Sequence, residues 1–257
     1  MVEFPEVMSG EPVEISATTF VTFQQCPERA AGRLRGVFEP ESRAGFAGGL
    51  AHRIFARHLR SGPITPDSFA QACREEIGEG MNPKMTALGL TPKSLGTIIG
   101  EVGELYERFK LIPVDGFAGA ELALVVEPSE GVVLKGMVDA VFSDDGAGVR
   151  LIDWKTGQVG EAGHQLSFYA LLWVLNKGEL PERVEAVSVR TGERMEEVPT
   201  RAGVGETARR VAQMVDRLRE AWASGPDLPR HAGPWCRWCP LLEECEEGRA
   251  ATALLEA

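Results

Sequence analysis

The chain has 257 residues, 44% hydrophobic and 25% charged, with a formal net charge of −11 at pH 7. No apolar run is long enough to span a bilayer, and no charged start followed by an apolar stretch and a small-residue cleavage site opens the chain, so a cytoplasmic protein without a membrane partner is expected. The acid excess argues against a protein that coats nucleic acid nonspecifically, because phosphate neutralisation needs clustered Lys and Arg. Arg29 to Arg60 is a local exception, with seven arginines against two glutamates.

Met1 to Ile15 is rich in Pro and Glu without periodicity and reads as an extended lead-in. Ser16 to Arg35 opens with Ser/Thr N-cap candidates and runs through Phe20, Phe23 and Leu34, which predicts one or two short helices interrupted or restarted at Pro27. Leu50, Ile54, Phe55 and Leu59 recur at helical spacing, predicting a helix over Phe46 to Leu59 around Gly48-Gly49. Thr65 to Glu79 and Thr91 to Phe109 each open on Thr-Pro and carry helical patterns, joined by a Gly- and Pro-containing connector, so residues 65–110 read as a helical insertion. Cys73 lies in the first of them without a partner at ligand spacing and reads as a small buried apolar side chain.

Gly119 to Glu127 predicts a strand. Leu134 to Phe142 and Val149 to Trp154 are apolar, β-branched runs about the turn signal Ser143-Asp144-Asp145-Gly146, predicting an antiparallel hairpin. His164 to Asn176 reads as an amphipathic helix, Arg183 to Val189 and Arg194 to Val198 as strands about Thr191-Gly192, and Glu206 to Ala223 as a long helix. The order after the insertion implies an α/β fold, a mixed sheet flanked by helices, in one domain over residues 1–257. His58, His164 and His231 match no motif and read as surface residues.

The hairpin carries the chemistry. Side chains alternate along a strand, so Asp153 and Lys155 share a face that Trp154 does not, with Asp139 on the neighbouring strand. Paired carboxylates are the hard ligands that magnesium or manganese prefers, and a lysine on the same face can position water or stabilise a phosphate. Gln165 and Tyr169, at i and i+4, project from one face of the following helix. Near the C-terminus, Cys236 and Cys239 form C-x-x-C and Cys245 follows. In a cytosolic chain, close cysteines point to zinc or an iron-sulfur group rather than to disulfides, and a four-thiolate site would need a distant fourth cysteine.

GMVDAVF, LIDWKTG and QLSFYALLW resemble the G-x-x-D, (D/E)-x-K-T and Q-x-x-x-Y motifs of the PD-(D/E)xK nuclease superfamily, in its RecB-like and CRISPR-adaptation branch. GGLAHRIFARHL is similar to the branch's G-x-x-x-H element through Gly48 and His52, and SATTFVTFQQCPERA to its opening. The branch often carries a basic residue after the first aspartate, where this chain has Ala140.

The resemblance implies a restriction-endonuclease-like core with a C-terminal Cys-rich segment. It implies His52, Asp139 and Asp153 as ligands of magnesium or manganese, Lys155 as catalytic, and Gln165 and Tyr169 near the scissile phosphate. It further implies a four-iron, four-sulfur cluster on Cys26, Cys236, Cys239 and Cys245, favoured over zinc, with Cys26 the fourth ligand because it alone among the remaining cysteines has a family-like context. Glu121 stands where several relatives carry an acid before the hairpin, the alternative being a solvated strand charge. The expected activity is a metal-dependent DNA nuclease, an exonuclease of repair or CRISPR adaptation, with DNA approaching arginines such as Arg29 and Arg53. A helicase or a CRISPR integrase is its expected partner. The alternative is a non-catalytic DNA-binding or scaffold module of such a complex.

Overall fold

The computed structural model describes residues 2–144, 148–225 and 227–256. Its mixed sheet contains β1 (Val13–Ser16), β2 (Phe117–Ser129), β3 (Val132–Asp144), β4 (Gly148–Lys155), β5 (Arg183–Ser188) and β6 (Arg194–Glu197). The strand order is β1-β3-β4-β5-β6, with β2 also paired to β3. The expected α/β architecture is present. Residues 145–147, in the predicted hairpin turn, lie outside the described residues.

The long strand β3 organises this topology. β2 runs antiparallel along most of its length. On the opposite edge β1 pairs in parallel with Val132 to Lys135, and β4 pairs antiparallel with Ala140 to Asp144. Gly136 to Asp139 therefore lies between two partners on one edge. The strand also changes facing there: Leu134 and Val138 join one apolar cluster, whereas Ala140 and Phe142 join the other. β2 is irregular at the same level, where Glu121 takes φ +49°, a region that side-chain-bearing residues rarely adopt.

Helices cover both faces. One side packs α1 (Ala17–Gln25), α7 (Gly163–Lys177) and α8 (Arg201–Ser224) around Phe20, Leu166, Phe168, Leu172 and Val211. The other packs α3 (Arg43–Ser61), α4 (Pro66–Gly80) and α6 (Pro92–Phe109) around Leu50, Ile54, Phe55, Ile98 and Trp154. Cys73 is fully buried in this second cluster. The short helix α2 (Pro27–Leu34) follows α1, with Pro27 in its first turn, where a missing N–H costs nothing. α5 (Asn82–Ala87) occupies the predicted connector, and α9 (Glu246–Glu256) ends the described chain.

Three expectations change. The lead-in contains a strand, because Val13 and Ile15 are buried against β3 and only four residues need pair. The helix predicted from Glu206 begins at Arg201, since Thr200 caps it by accepting the Gly203 N–H at 3.1 Å. His58 is not a surface residue: it is buried beneath the rings of Tyr106 and Phe109. The Tyr106 hydroxyl accepts the Ile64 N–H at 2.7 Å, which leaves its own proton for His58 Nδ1 at 2.9 Å.

Burial, aided by the charge of Lys110, holds the His58 pKa below its ordinary 6.5. Above that value the imidazole is neutral both folded and unfolded; below it the unfolded chain takes the proton first. Stability is therefore expected to fall as pH drops from 6.5 toward the lower folded value. Comparing urea midpoints of wild type and His58→Asn across that range tests this: the wild-type advantage should shrink with falling pH.

Candidate active site

The site forms where β3 changes partners. Past the last β3–β4 pair, Ala140 with Ile152, the Trp154 backbone N–H donates to Asp139 Oδ2 at 2.8 Å. Its indole points to the opposite face and packs edge-on against Phe109 at 5.2 Å. Asp153 and Lys155 consequently share the α7 side of β4, with Lys155 Nζ 2.7 Å from Asp153 Oδ2.

Helix α7 supplies the next two groups. Gln165 Nε2 donates to Asp153 Oδ1 at 2.7 Å, while Lys155 Nζ donates to Gln165 Oε1 at 2.6 Å. Gln165 Nε2 also lies 3.3 Å from the Tyr169 hydroxyl. One amide thus locks the acid and the ammonium in place. Helix α3, from the other layer, brings His52 Nδ1 to 3.1 Å from Asp139 Oδ1. His52, Asp139, Asp153, Lys155, Gln165 and Tyr169 are gathered in one place.

The electrostatics follow from this crowding. Burial, with Asp139 adding to it, raises the Asp153 pKa above the ordinary carboxylate value against the opposing pull of Lys155. Burial works against protonation of His52, but Asp139 by charge and hydrogen bond, with Asp153 behind it, outweighs that and raises the imidazole pKa. Burial and Asp153 raise the Tyr169 pKa, so its hydroxyl keeps its proton. Among the described residues no three His, Cys, Asp or Glu side chains form a ready metal cage, since His52 and Lys155 occupy the carboxylates. Asp153 Oδ2 is buried and meets the Lys155 ammonium at 2.7 Å, so it is a hard oxygen for which a divalent cation would compete with Lys155.

Glu121 lies level with Asp139 on β2 and pairs with Arg60 at 3.1 Å. The other six arginines from Arg29 to Arg60 also have glutamate partners: Arg29 and Arg33 with Glu39, Arg35 with Glu28, Arg43 with Glu101, Arg53 with Glu76 and Glu79, and Arg57 with Glu75 and Glu76. The basic stretch is compensated in the fold, largely by acids distant in sequence. Ala140 is fully buried, paired with both Ala120 and Ile152, so a longer basic side chain has no room there.

A second group of sequence-predicted residues meets elsewhere. Cys26 lies between α1 and α2, and Cys236, Cys239 and Cys245 lie in the turns Pro234–Trp238 and Leu242–Glu244 and beside them. The four free thiols line one cavity of about 20 Å³, with Arg29 and His231 at its wall. The Gly233 and Gly248 amides donate to Cys236 Sγ and Cys245 Sγ at 3.4 and 3.3 Å.

The sequence of residues 14–246 matches the PD-(D/E)XK nuclease superfamily. The chain belongs to that superfamily. Its mixed sheet and flanking helices are the restriction-endonuclease-like core of these nucleases. Among solved structures it is similar to a putative exonuclease from Eubacterium rectale, at 15% identity and a TM-score of 0.57, over 90% of this chain and 87% of the other. That likeness is one of fold. A second, SSO0001, shares 15% identity over 93% of this chain and 88% of the other, with a TM-score of 0.40, and carries no argument. No curated protein matches the chain.

Gly136, three residues before Asp139, explains part of the superfamily motif in physical terms. A Cβ there would stand 2.9 Å from Leu172 and 3.2 Å from Tyr169, so its absence lets α7 lie directly on β3 and carry Gln165 to the acids. Gly136→Val should destabilise the fold by about 1–3 kcal/mol through overpacking and reduce catalysis by displacing α7. Gly119→Ala, where nothing lies within 4 Å of the new Cβ, should do neither. Thermal melts and single-turnover rates of the two variants make the comparison.

Proposed function

We propose that this superfamily member is a metal-dependent DNA nuclease acting at DNA ends. The observation that carries the reading is the Lys155–Asp153–Gln165 triangle closed beside Asp139 and His52. His52, Asp139 and Asp153 would hold magnesium or manganese, which when bound supplies an activated water and neutralises phosphate charge. Lys155 presents a fixed ammonium to the attacking water and to charge developing on the phosphate. Gln165 orients both Lys155 and Asp153, and Tyr169 braces Gln165 as a neutral hydroxyl. The exonuclease mode is the name carried by the Eubacterium rectale structure and extends to this chain as part of the proposal.

Asp139→Ala, Asp153→Ala and Lys155→Ala should each abolish cleavage of end-labelled DNA in magnesium or manganese. The aspartate variants should also weaken metal binding in calorimetry, whereas Lys155→Ala should spare it and cost on the order of 3 kcal/mol of transition-state stabilisation. Full activity in Asp139→Ala and Lys155→Ala, or a wild type that cuts neither single- nor double-stranded DNA, would replace catalysis with the scaffold reading.

Cys26, Cys236, Cys239 and Cys245 are proposed to hold a four-iron, four-sulfur cluster. The reading is supported by four thiols on one small cavity and by backbone amides that already donate to two of the sulfurs. Anaerobically purified protein should be brown, with about four irons per chain. Cys26→Ala should bleach it and Cys73→Ala should not, because the Cys73 thiol is buried among apolar side chains with its pKa pushed up to about 12. One equivalent of zinc without iron would exclude the cluster.

A further inference from the structure

We infer that Arg190 and Arg108 form the phosphate-binding flank of this site, gripping the nucleic-acid strand beside the scissile phosphodiester; the inference rests on the nuclease reading above. A nuclease in a chain of net charge −11 needs local cation that its own acids have not consumed. The arginine-rich stretch does not offer it, because each of its seven guanidiniums faces a glutamate. Arg190 and Arg108 differ: their guanidiniums donate to backbone carbonyls, and neither has a carboxylate partner among the described residues. Both are exposed.

Their position follows from the sheet. Lys155 pairs with Ser188 across β4 and β5, and the Val189 N–H donates to the Lys155 carbonyl at 2.8 Å. Arg190 is the next residue, and its Nε donates to the carbonyl of Thr156, which directly follows Lys155, at 3.0 Å. On its other side Thr156 Oγ1 lies 3.3 Å from where a Cβ on Gly48 would stand, one turn before His52 on α3. Arg190 is therefore docked on the residue that joins the lysine strand to the histidine helix. Arg108, in the last turn of α6, donates to the Arg190 carbonyl and adds a second charge. The acid of the same turn, Glu193, is directed to the Val159 N–H at 3.4 Å.

The hydrogen bond to Thr156 uses Nε and leaves the terminal nitrogens to fork a phosphate, a geometry that arginine provides and lysine does not. Arg190 is held by the residue next to Lys155, so a phosphate bound by Arg190 belongs to the same stretch of strand as the one presented to Lys155. The two arginines are positioning residues: they bind the strand and do not touch the reacting atoms.

Arg190→Gln separates charge from structure, because its amide can still donate to Thr156. Anisotropy of labelled single-stranded DNA across salt should show about tenfold weaker binding and a log–log salt slope shallower by about 0.7, one phosphate contact on a single strand. KM should rise with kcat spared; Arg190→Lys should restore the slope, and Arg108→Gln should give a smaller loss of the same kind. Arg43→Gln, which removes a charge already paired with Glu101, should match wild type. Unchanged affinity and slope for Arg190→Gln in a protein that cuts DNA overturns this inference and leaves the nuclease reading intact, as does a fall in kcat at unchanged slope. A wild type that neither binds nor cuts DNA removes both.

Discussion

A strand edge paired at both ends but open in the middle must satisfy its backbone neighbours by other means, and in β3 that opening places Asp139. β1 covers Val132 to Lys135 and β4 covers Ala140 to Asp144, so Asp139 meets β4 where ladder pairing ends. The Trp154 N–H, which would otherwise continue the ladder, finds the Asp139 carboxylate. That bond fixes the carboxylate and the β4 backbone together, and Asp153 and Lys155 follow from simple alternation on either side of Trp154. Glu121 at positive φ on β2 shows the distortion extending across β3 to its other partner, a cost of order 1–3 kcal/mol of the kind retained at functional positions.

The two helical layers then serve different ends. The α7 layer approaches β3 closely because Gly136 has no side chain, and so delivers an amide whose two ends bind opposite charges. The α3 layer delivers a single imidazole to the far carboxylate. The site balances its own charge through Lys155 on Asp153 and His52 on Asp139; Asp139 raises the His52 pKa against burial, whereas burial, with Asp139 adding to it, raises that of Asp153 against the pull of Lys155. A divalent ion would enter by competing with those contacts.

The hairpin motifs were legible because strand alternation and helical i, i+4 spacing translate directly into shared faces, and the gathering of Asp153, Lys155, Gln165 and Tyr169 follows from them. His52 was legible only through the family pattern, since nothing local says that a histidine on α3 faces a strand nearly ninety residues later. Charge was the least legible feature. Seven arginines within a short stretch suggested a phosphate-facing surface, but four of their partners, Glu75, Glu76, Glu79 and Glu101, come from the helices of residues 65–110, and Glu121 comes from β2. Linear charge density does not report pairing in three dimensions. For the same reason β1 was missed: four residues acquire strand character only when β3 offers an edge.

The cysteine-lined cavity and the hairpin are far apart in sequence but mechanically connected. Cys26 ends α1, and on that helix Phe20 stacks on Phe168 of α7 at 5.6 Å. Phe168 is adjacent to Tyr169 and one turn from Gln165, so the position of α1 bears on the amide that aligns Lys155 with Asp153. The Pro229 carbonyl, which accepts the Glu28 N–H at 3.3 Å, and Leu241, packed against Gly32, already join the C-terminal segment to α2. A crosslink through Cys26 would tighten that junction by closing a loop of some two hundred residues, where the entropy removed from the unfolded chain is large. A group bound by these four cysteines would thereby bear on the Gln165–Lys155–Asp153 geometry through packing, by holding α1 under α7, without contributing an atom to it.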